Sequence, residues 1–240
     1  MRTESDEPSL SVRGLHVQRA GTAVVRDVSF EVNGGAVVAL LGANGAGKTT
    51  LLEAVSGTIP SRGAVSLCGQ DLTGVHPSIR ASRGLVHVEQ GRTVFGELTV
   101  EQNLLVAAPR DKHPEAFEVF PELERLRDRR AELLSGGEQQ MLVVARALLC
   151  SPRILMLDEL SLGLAPTVVK RLLPIIRSLA DSGVGVLLVE QFAQAALAIA
   201  DQVCVLAHGV LAFSGPAMKL QERPEILHNA YFGAPVESGL

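Results

Sequence analysis

Gly42-Ala43-Asn44-Gly45-Ala46-Gly47-Lys48-Thr49-Thr50 contains the full pattern G-x-x-x-x-G-K-[ST] and decides how its surroundings are read. Before it, residues 36–41 run unbroken and apolar, as expected of a strand covered on both faces. After it, residues 49–56 read as helix. The glycines let backbone N–H groups wrap phosphate oxygens, and the helix N-terminus adds a favourable dipole. Lys48 is then placed to reach the β- and γ-phosphates of a nucleotide, and Thr49 to bind Mg²⁺.

Two further stretches belong with this loop. Ile154-Leu155-Met156-Leu157 is an apolar strand ending in Asp158-Glu159. Asp158 at the strand end suits the Mg²⁺ shell, and Glu159 suits polarisation of an attacking water. Many buried strands end in acid, so this pattern gains its meaning from the phosphate loop. Leu134-Ser135-Gly136-Gly137-Glu138-Gln139-Gln140 is the other stretch. Ser135 and Glu138 have capping-box spacing at a helix start. Two consecutive glycines there weaken the cap region unless backbone must approach something closely. A hydroxyl beside bare N–H groups at a helix N-terminus also suits an anion.

Outward from these motifs, strands and helices alternate. Residues 10–32 alternate apolar and polar as half-buried antiparallel strands, Gly34-Gly35 makes a turn, and 64–67 fits another short strand. The middle, from about 100 to 130, is helical and polar, with Pro109, Pro114 and Pro121 as breaks and a charge run at 124–130 that reads as a solvated helix face. A long apolar-striped helix follows Ser135 to about 149. Helix 170–180, strand 184–189, helix 193–200 and strand 203–206 close the pattern. This order predicts an α/β fold with a mostly parallel core sheet, an early antiparallel region and an inserted helical part.

The composition agrees. The chain has 240 residues with 22 basic and 26 acidic side chains, a formal charge of −4, and 47% hydrophobic residues. That is globular composition, and neither the charge nor the 3% aromatic content makes a case for nucleic acid. No apolar stretch approaches the roughly 20 residues that cross a bilayer. The acidic start, residues 1–8, is unlike a signal peptide and reads as a disordered tail. Cys68, Cys150 and Cys204 are widely spaced among apolar residues and read as buried thiols in a reducing compartment.

The phosphate loop, the LSGGEQQ stretch and the LMLDE strand, in this order, resemble the ATP-binding cassette (ABC) subunits. The resemblance covers about residues 9–233, and implies one ATP-binding domain with a helical subdomain inserted at about 92–150 and a C-terminal tail at 234–240. It implies ATP and Mg²⁺ as ligands, and a head-to-tail dimer in which Ser135, Gly136, Gly137 and Glu138 contact the ATP held by the opposite phosphate loop. Gln90 matches the loop glutamine that senses Mg²⁺, water and a membrane partner. Gln191 falls where most family members have a switch histidine touching the γ-phosphate. The stretch from Ser161 to Pro166 matches the segment that contacts the opposite subunit. Arg19, or its neighbour Gln18, stands where an aromatic usually stacks on adenine; an Arg plane can stack on a base too. Leu160 replaces the usual Pro after Glu159, which would loosen that turn. His87, beside the glutamine loop, reads as structural.

QGRTVFGELTVEQNL, LSGGEQQML, SLGLAP, VEQ and the closing AYFG narrow the resemblance to the smaller ATPase subunit of branched-chain amino-acid importers. Relatives importing urea or amides share these motifs, and the motor residues do not distinguish lipid export. A cassette ATPase of DNA repair or translation would carry a long coiled-coil insert or two cassettes in one chain. The implied partners are a related but distinct second cassette chain, membrane permeases and, indirectly, an extracytoplasmic solute-binding protein. The implied location is cytoplasmic, peripheral on the inner face of the membrane.

Overall fold

The computed structural model describes residues 9–91, 93–191 and 193–231. Both expected tails, and Phe232 and Gly233 of the closing AYFG motif, lie outside the described residues.

The early alternation forms β1 (Ser9–Arg19) and β2 (Thr22–Asn33), paired antiparallel with Leu10 opposite Val32 and Val12 opposite Phe30. β3 (Val37–Leu41) is buried at every position and feeds the phosphate loop, after which α1 (Lys48–Ser56) begins. β4 (Arg62–Leu67) and β5 (Gln70–Asp71) complete a four-stranded sheet of order β2-β1-β4-β5. α2 (Pro77–Ser82) then leads into β6 (Leu85–Val88).

The middle folds as α3 (Val100–Ala107), α4 (His113–Val119), α5 (Pro121–Arg125) and α6 (Gly136–Leu149). Pro114 and Pro121 open helices here, because a first-turn proline has no intrahelical N–H to lose. The charge run at 124–130 leaves helix after Arg125. Arg127 turns back onto the buried Glu101 carboxylate at 3.0 Å and over the Phe117 ring, while residues 124, 125 and 127–130 stay exposed, so the run is solvated as expected but only its start is helical.

β7 (Ile154–Asp158), α7 (Pro166–Asp181), β8 (Gly185–Glu190), α8 (Ala193–Leu197) and β9 (Gln202–Ala207) alternate as expected. α7 starts earlier than 170 because Pro166 sits in its first turn, and it continues through Pro174 with Leu172, Leu173, Ile176 and Ala180 buried. β10 (Val210–Pro216), α9 (Ala217–Glu222) and α10 (Pro224–Tyr231) follow, unannounced by periodicity.

The second sheet runs β10-β9-β3-β8-β7-β6, parallel except where β10 lies antiparallel on β9. Successive residues of β3 serve opposite cores. Val38 and Leu40 pack with Leu51, Leu52 and Met156, whereas Val37, Ala39 and Leu41 pack with Leu142, Leu157 and Ile176. Each such fully buried aliphatic side chain stabilises by about 1.5–3 kcal/mol relative to exposure. The register then decides where chemistry can occur. Leu41 is opposite Glu190, and Asp158 is opposite Val189, so the loops leaving β3, β7 and β8 emerge side by side at one sheet edge. Of the three cysteines, only Cys204 is buried; Cys150 is exposed because it caps the C-terminus of α6 rather than lying in its apolar stripe.

Candidate functional site

The loop before α1 is held tightly. A Cβ on Gly42 would lie 2.4 Å from the Leu206 carbonyl oxygen, and Gly47 has φ +105°, a left-handed conformation that excludes most side chains. α1 has no side-chain cap and no acidic residue in its first turn, so its N-terminus suits an anion. Ala46 is buried; its N–H donates to Ala43 O and its carbonyl accepts from Gly209 N–H. Its backbone therefore braces the loop.

A cleft of about 500 Å³ opens beside this loop. Asn44, Gly45, Gly47, Lys48, Thr49 and Thr50 form one side, and Gln90, Glu159, Leu162 and Gln191 the other. Arg19 and Val24 also line this cleft, and the Arg19 guanidinium is ion-paired with Glu53. Gly42, Ala43 and Ala46 do not line it. The carbonyls of Gly42 and Ala43 accept instead from Lys48 Nζ, at 2.9 and 3.3 Å.

Lys48 is buried, and its ammonium also stands 3.7 Å from Glu159 Oε1. The other Glu159 oxygen accepts from Gln90 Nε2 at 2.7 Å. One carboxylate thus joins the phosphate loop to the loop after β6. Glu159 is left-handed, φ +48°, a backbone cost of about 1 kcal/mol or more that persists only where the surroundings fix it. Here its N–H donates to Val189 O, its carbonyl accepts from Leu162 N–H, and Leu160 is buried. Leu160, at the position where the resemblance leads one to expect proline, is taken up by the apolar core.

Asp158 is 3% exposed, and among the described residues neither of its carboxylate oxygens has a partner in good hydrogen-bond geometry, although the Thr49 hydroxyl lies close enough to act on it. Burial raises its pKa; the Thr49 hydroxyl opposes that shift, and the Glu159 charge adds to it. Unpaired buried oxygens are costly, and a cation bound between them and Thr49 would remove the cost. The residues fit Mg²⁺.

Ser135 and Glu138 form the expected capping box: Ser135 Oγ accepts from Glu138 N–H at 3.3 Å, and Glu138 Oε2 accepts from Ser135 N–H at 2.7 Å. A Cβ on Gly137 would meet Val168 of α7 at 3.0 Å, so one of the two glycines also has a packing reason. Ser135, Gly136, Gly137 and Glu138 do not line the Lys48 cleft. Leu162, an exposed apolar residue of the Ser161–Pro166 stretch, also lines the cleft, and Glu190, given no role from sequence, has a buried carboxylate bonded to Ser161. A carboxylate closing the apolar run of β8 was the available signal for the latter.

Residues 25–161 match the family model described as "ABC transporter". The chain is 40% identical over 217 residues to the high-affinity branched-chain amino acid transport ATP-binding protein BraG of Pseudomonas aeruginosa, covering 87% of this chain and 93% of that protein. It is 34% identical over 237 residues to the lipopolysaccharide export system ATP-binding protein LptB of Escherichia coli strain K12, covering 94% and 97%. In fold it is similar to a nucleotide-free ATP-binding cassette from an ABC transporter, with TM-score 0.83, 24% identity, and coverage of 92% of this chain and 97% of that one.

Proposed function

The chain belongs to the ABC transporter family, and from that membership we propose that it is the ATPase subunit of an importer for branched-chain amino acids. As an ABC ATPase it binds and hydrolyses ATP. The observation that carries the site assignment is the convergence of Lys48, Gln90 and Glu159 beside the unpartnered Asp158 oxygens.

In this reading Lys48 exchanges the Gly42 and Ala43 carbonyls for β- and γ-phosphate oxygens, a stronger charge-assisted pairing. Thr49 and Asp158, with the Gln90 side-chain carbonyl, would hold Mg²⁺. When bound, Mg²⁺ neutralises charge on the transferring phosphoryl group. Glu159 accepts a hydrogen bond from the attacking water and orients it. Gln191 donates its amide N–H to a γ-phosphate oxygen, and Arg19 lies at the adenine end. Ser135, Gly136, Gly137 and Glu138 act on the ATP of a second cassette. No described helix is long and apolar enough to cross a membrane. In this reading separate permease subunits form the path, and the cassette works peripherally on the cytoplasmic face.

The 40% identity to BraG favours amino-acid import, and the fuller coverage of LptB at 34% is the observation behind a lipid-export reading. Co-purification of the tagged chain from native membranes separates them. Import predicts a second cassette, a permease pair and a solute-binding protein that takes leucine, isoleucine or valine. A lipid-extracting permease, or no membrane partner at all, contradicts it.

A further inference from the structure

β8 is buried at all six positions, and its last residue is the carboxylate Glu190, 2% exposed. Burying a carboxylate costs several kcal/mol unless its oxygens are satisfied. Both are satisfied by one residue on another strand's exit loop. Glu190 Oε1 accepts from Ser161 N–H at 2.9 Å, and Oε2 accepts from Ser161 Oγ at 2.6 Å. One residue earlier, Val189 O accepts from Glu159 N–H at 2.9 Å. Three hydrogen bonds therefore stitch residues 159–161 to residues 189–190. On one side of the stitch is Glu159 in its left-handed conformation; on the other, directly next in the chain, is Gln191 at the cleft.

Satisfying the polar groups at a strand end does not require a buried charge; a neutral side chain would do. What the Glu190–Ser161 pair adds is geometry, since two charge-assisted bonds from one residue fix both distance and orientation. We infer that Glu190 is a positioning residue for hydrolysis, locking the turn that carries Glu159 to the strand end that carries Gln191. The inference rests on the ATPase reading of the cleft.

The test uses the full chain in the complex with which it co-purifies, measuring kcat and KM for MgATP together with thermal stability. Glu190→Leu keeps the strand end buried and deletes both bonds. It is expected to lower kcat about 10–100-fold, the loss typical of a small misplacement of reacting groups, with KM changed by no more than about 2-fold. Glu190→Gln retains an acceptor and gains a donor toward Ser161 Oγ, and is expected to recover most of that loss. Ser161→Ala, which leaves β8 untouched, should lower kcat in the same direction, and Glu190→Leu with Ser161→Ala should be no worse than Glu190→Leu alone. Ser161→Ala also serves if Glu190→Leu does not fold. Wild-type kcat in Glu190→Leu or in Ser161→Ala, or additive losses in the double variant, overturns the inference alone. A wild-type complex without ATPase activity overturns the reading of the cleft and the inference with it.

Discussion

Replacing His87 with Leu removes an imidazole that β6 holds between Val86 and Val88, with both ring nitrogens buried and, among the described residues, unpartnered. Strand alternation sends it to the side of Leu85, which packs with Leu51 and Ile154. Burial lowers its pKa from 6.5 to about 4, because a charged ring there loses its water without gaining a partner. The folded state then binds fewer protons than the unfolded state between those two values, so stability falls as pH drops below about 6.5 and the loss is complete below about 4. At 1.36 kcal/mol per pKa unit, the loss is about 2 kcal/mol at pH 5 and about 3 kcal/mol at pH 4. Asp158 and Glu190, both raised by burial, act with the opposite sign, favouring the folded state as they protonate. They are present in both proteins and cancel in the comparison. Equilibrium urea unfolding of wild type and His87→Leu at pH 7.5, 6, 5 and 4 is the assay. The difference in unfolding free energy should move by these amounts in favour of Leu as the pH falls. Parallel pH dependences would refute the burial argument.

Arg80 is 6% exposed and donates to the carbonyls of Val55, Leu72 and Val75, so one guanidinium closes the C-terminal end of α1 and the loop after β5. Arg80→Ala should cost about 3 kcal/mol and lower Tm by roughly 6–12 °C, read by calorimetry, with Arg80→Lys recovering little because one ammonium cannot replace the fork. Lys48→Ala should weaken ATP binding to the isolated chain, measured by fluorescent-nucleotide titration, whereas Ser135→Arg should leave that affinity intact and block ATP-driven pairing of cassettes. Equal loss of affinity in both would contradict the placement of Ser135 outside its own cleft.

The strand–loop–helix around Gly42 was legible because β3 is buried on both faces and its composition says so. The start of α6 was legible because a capping box is a local device, written in Ser135 and Glu138 alone. What sequence could not show is long-range. That Gln90, Glu159 and Gln191 meet at one cleft follows from the parallel register of β6, β7 and β8, and from family resemblance only by analogy. Glu190 looks like an ordinary acidic strand end until Ser161 is seen beside it. β10 opens on the apolar run Val210-Leu211-Ala212-Phe213, which does not alternate and is too short for pattern alone to tell strand from helix, and Pro166 both ends a family motif and opens α7, which hides the start of that helix. Cys150 was placed inside on composition, although its neighbours Leu148 and Leu149 face the core without it.

The account stands or falls on Glu159 as the group that activates water while Lys48 and the loop bind the nucleotide. The direct measurement is phosphate release and ATP affinity, side by side, for wild type and Glu159→Gln in the purified complex with MgATP. The amide keeps the size of the carboxylate and loses its basicity, so phosphate release should fall by about 10²–10⁴-fold while ATP affinity is retained and the cassettes stay paired around unhydrolysed ATP on size exclusion. Wild-type phosphate release by Glu159→Gln would contradict it.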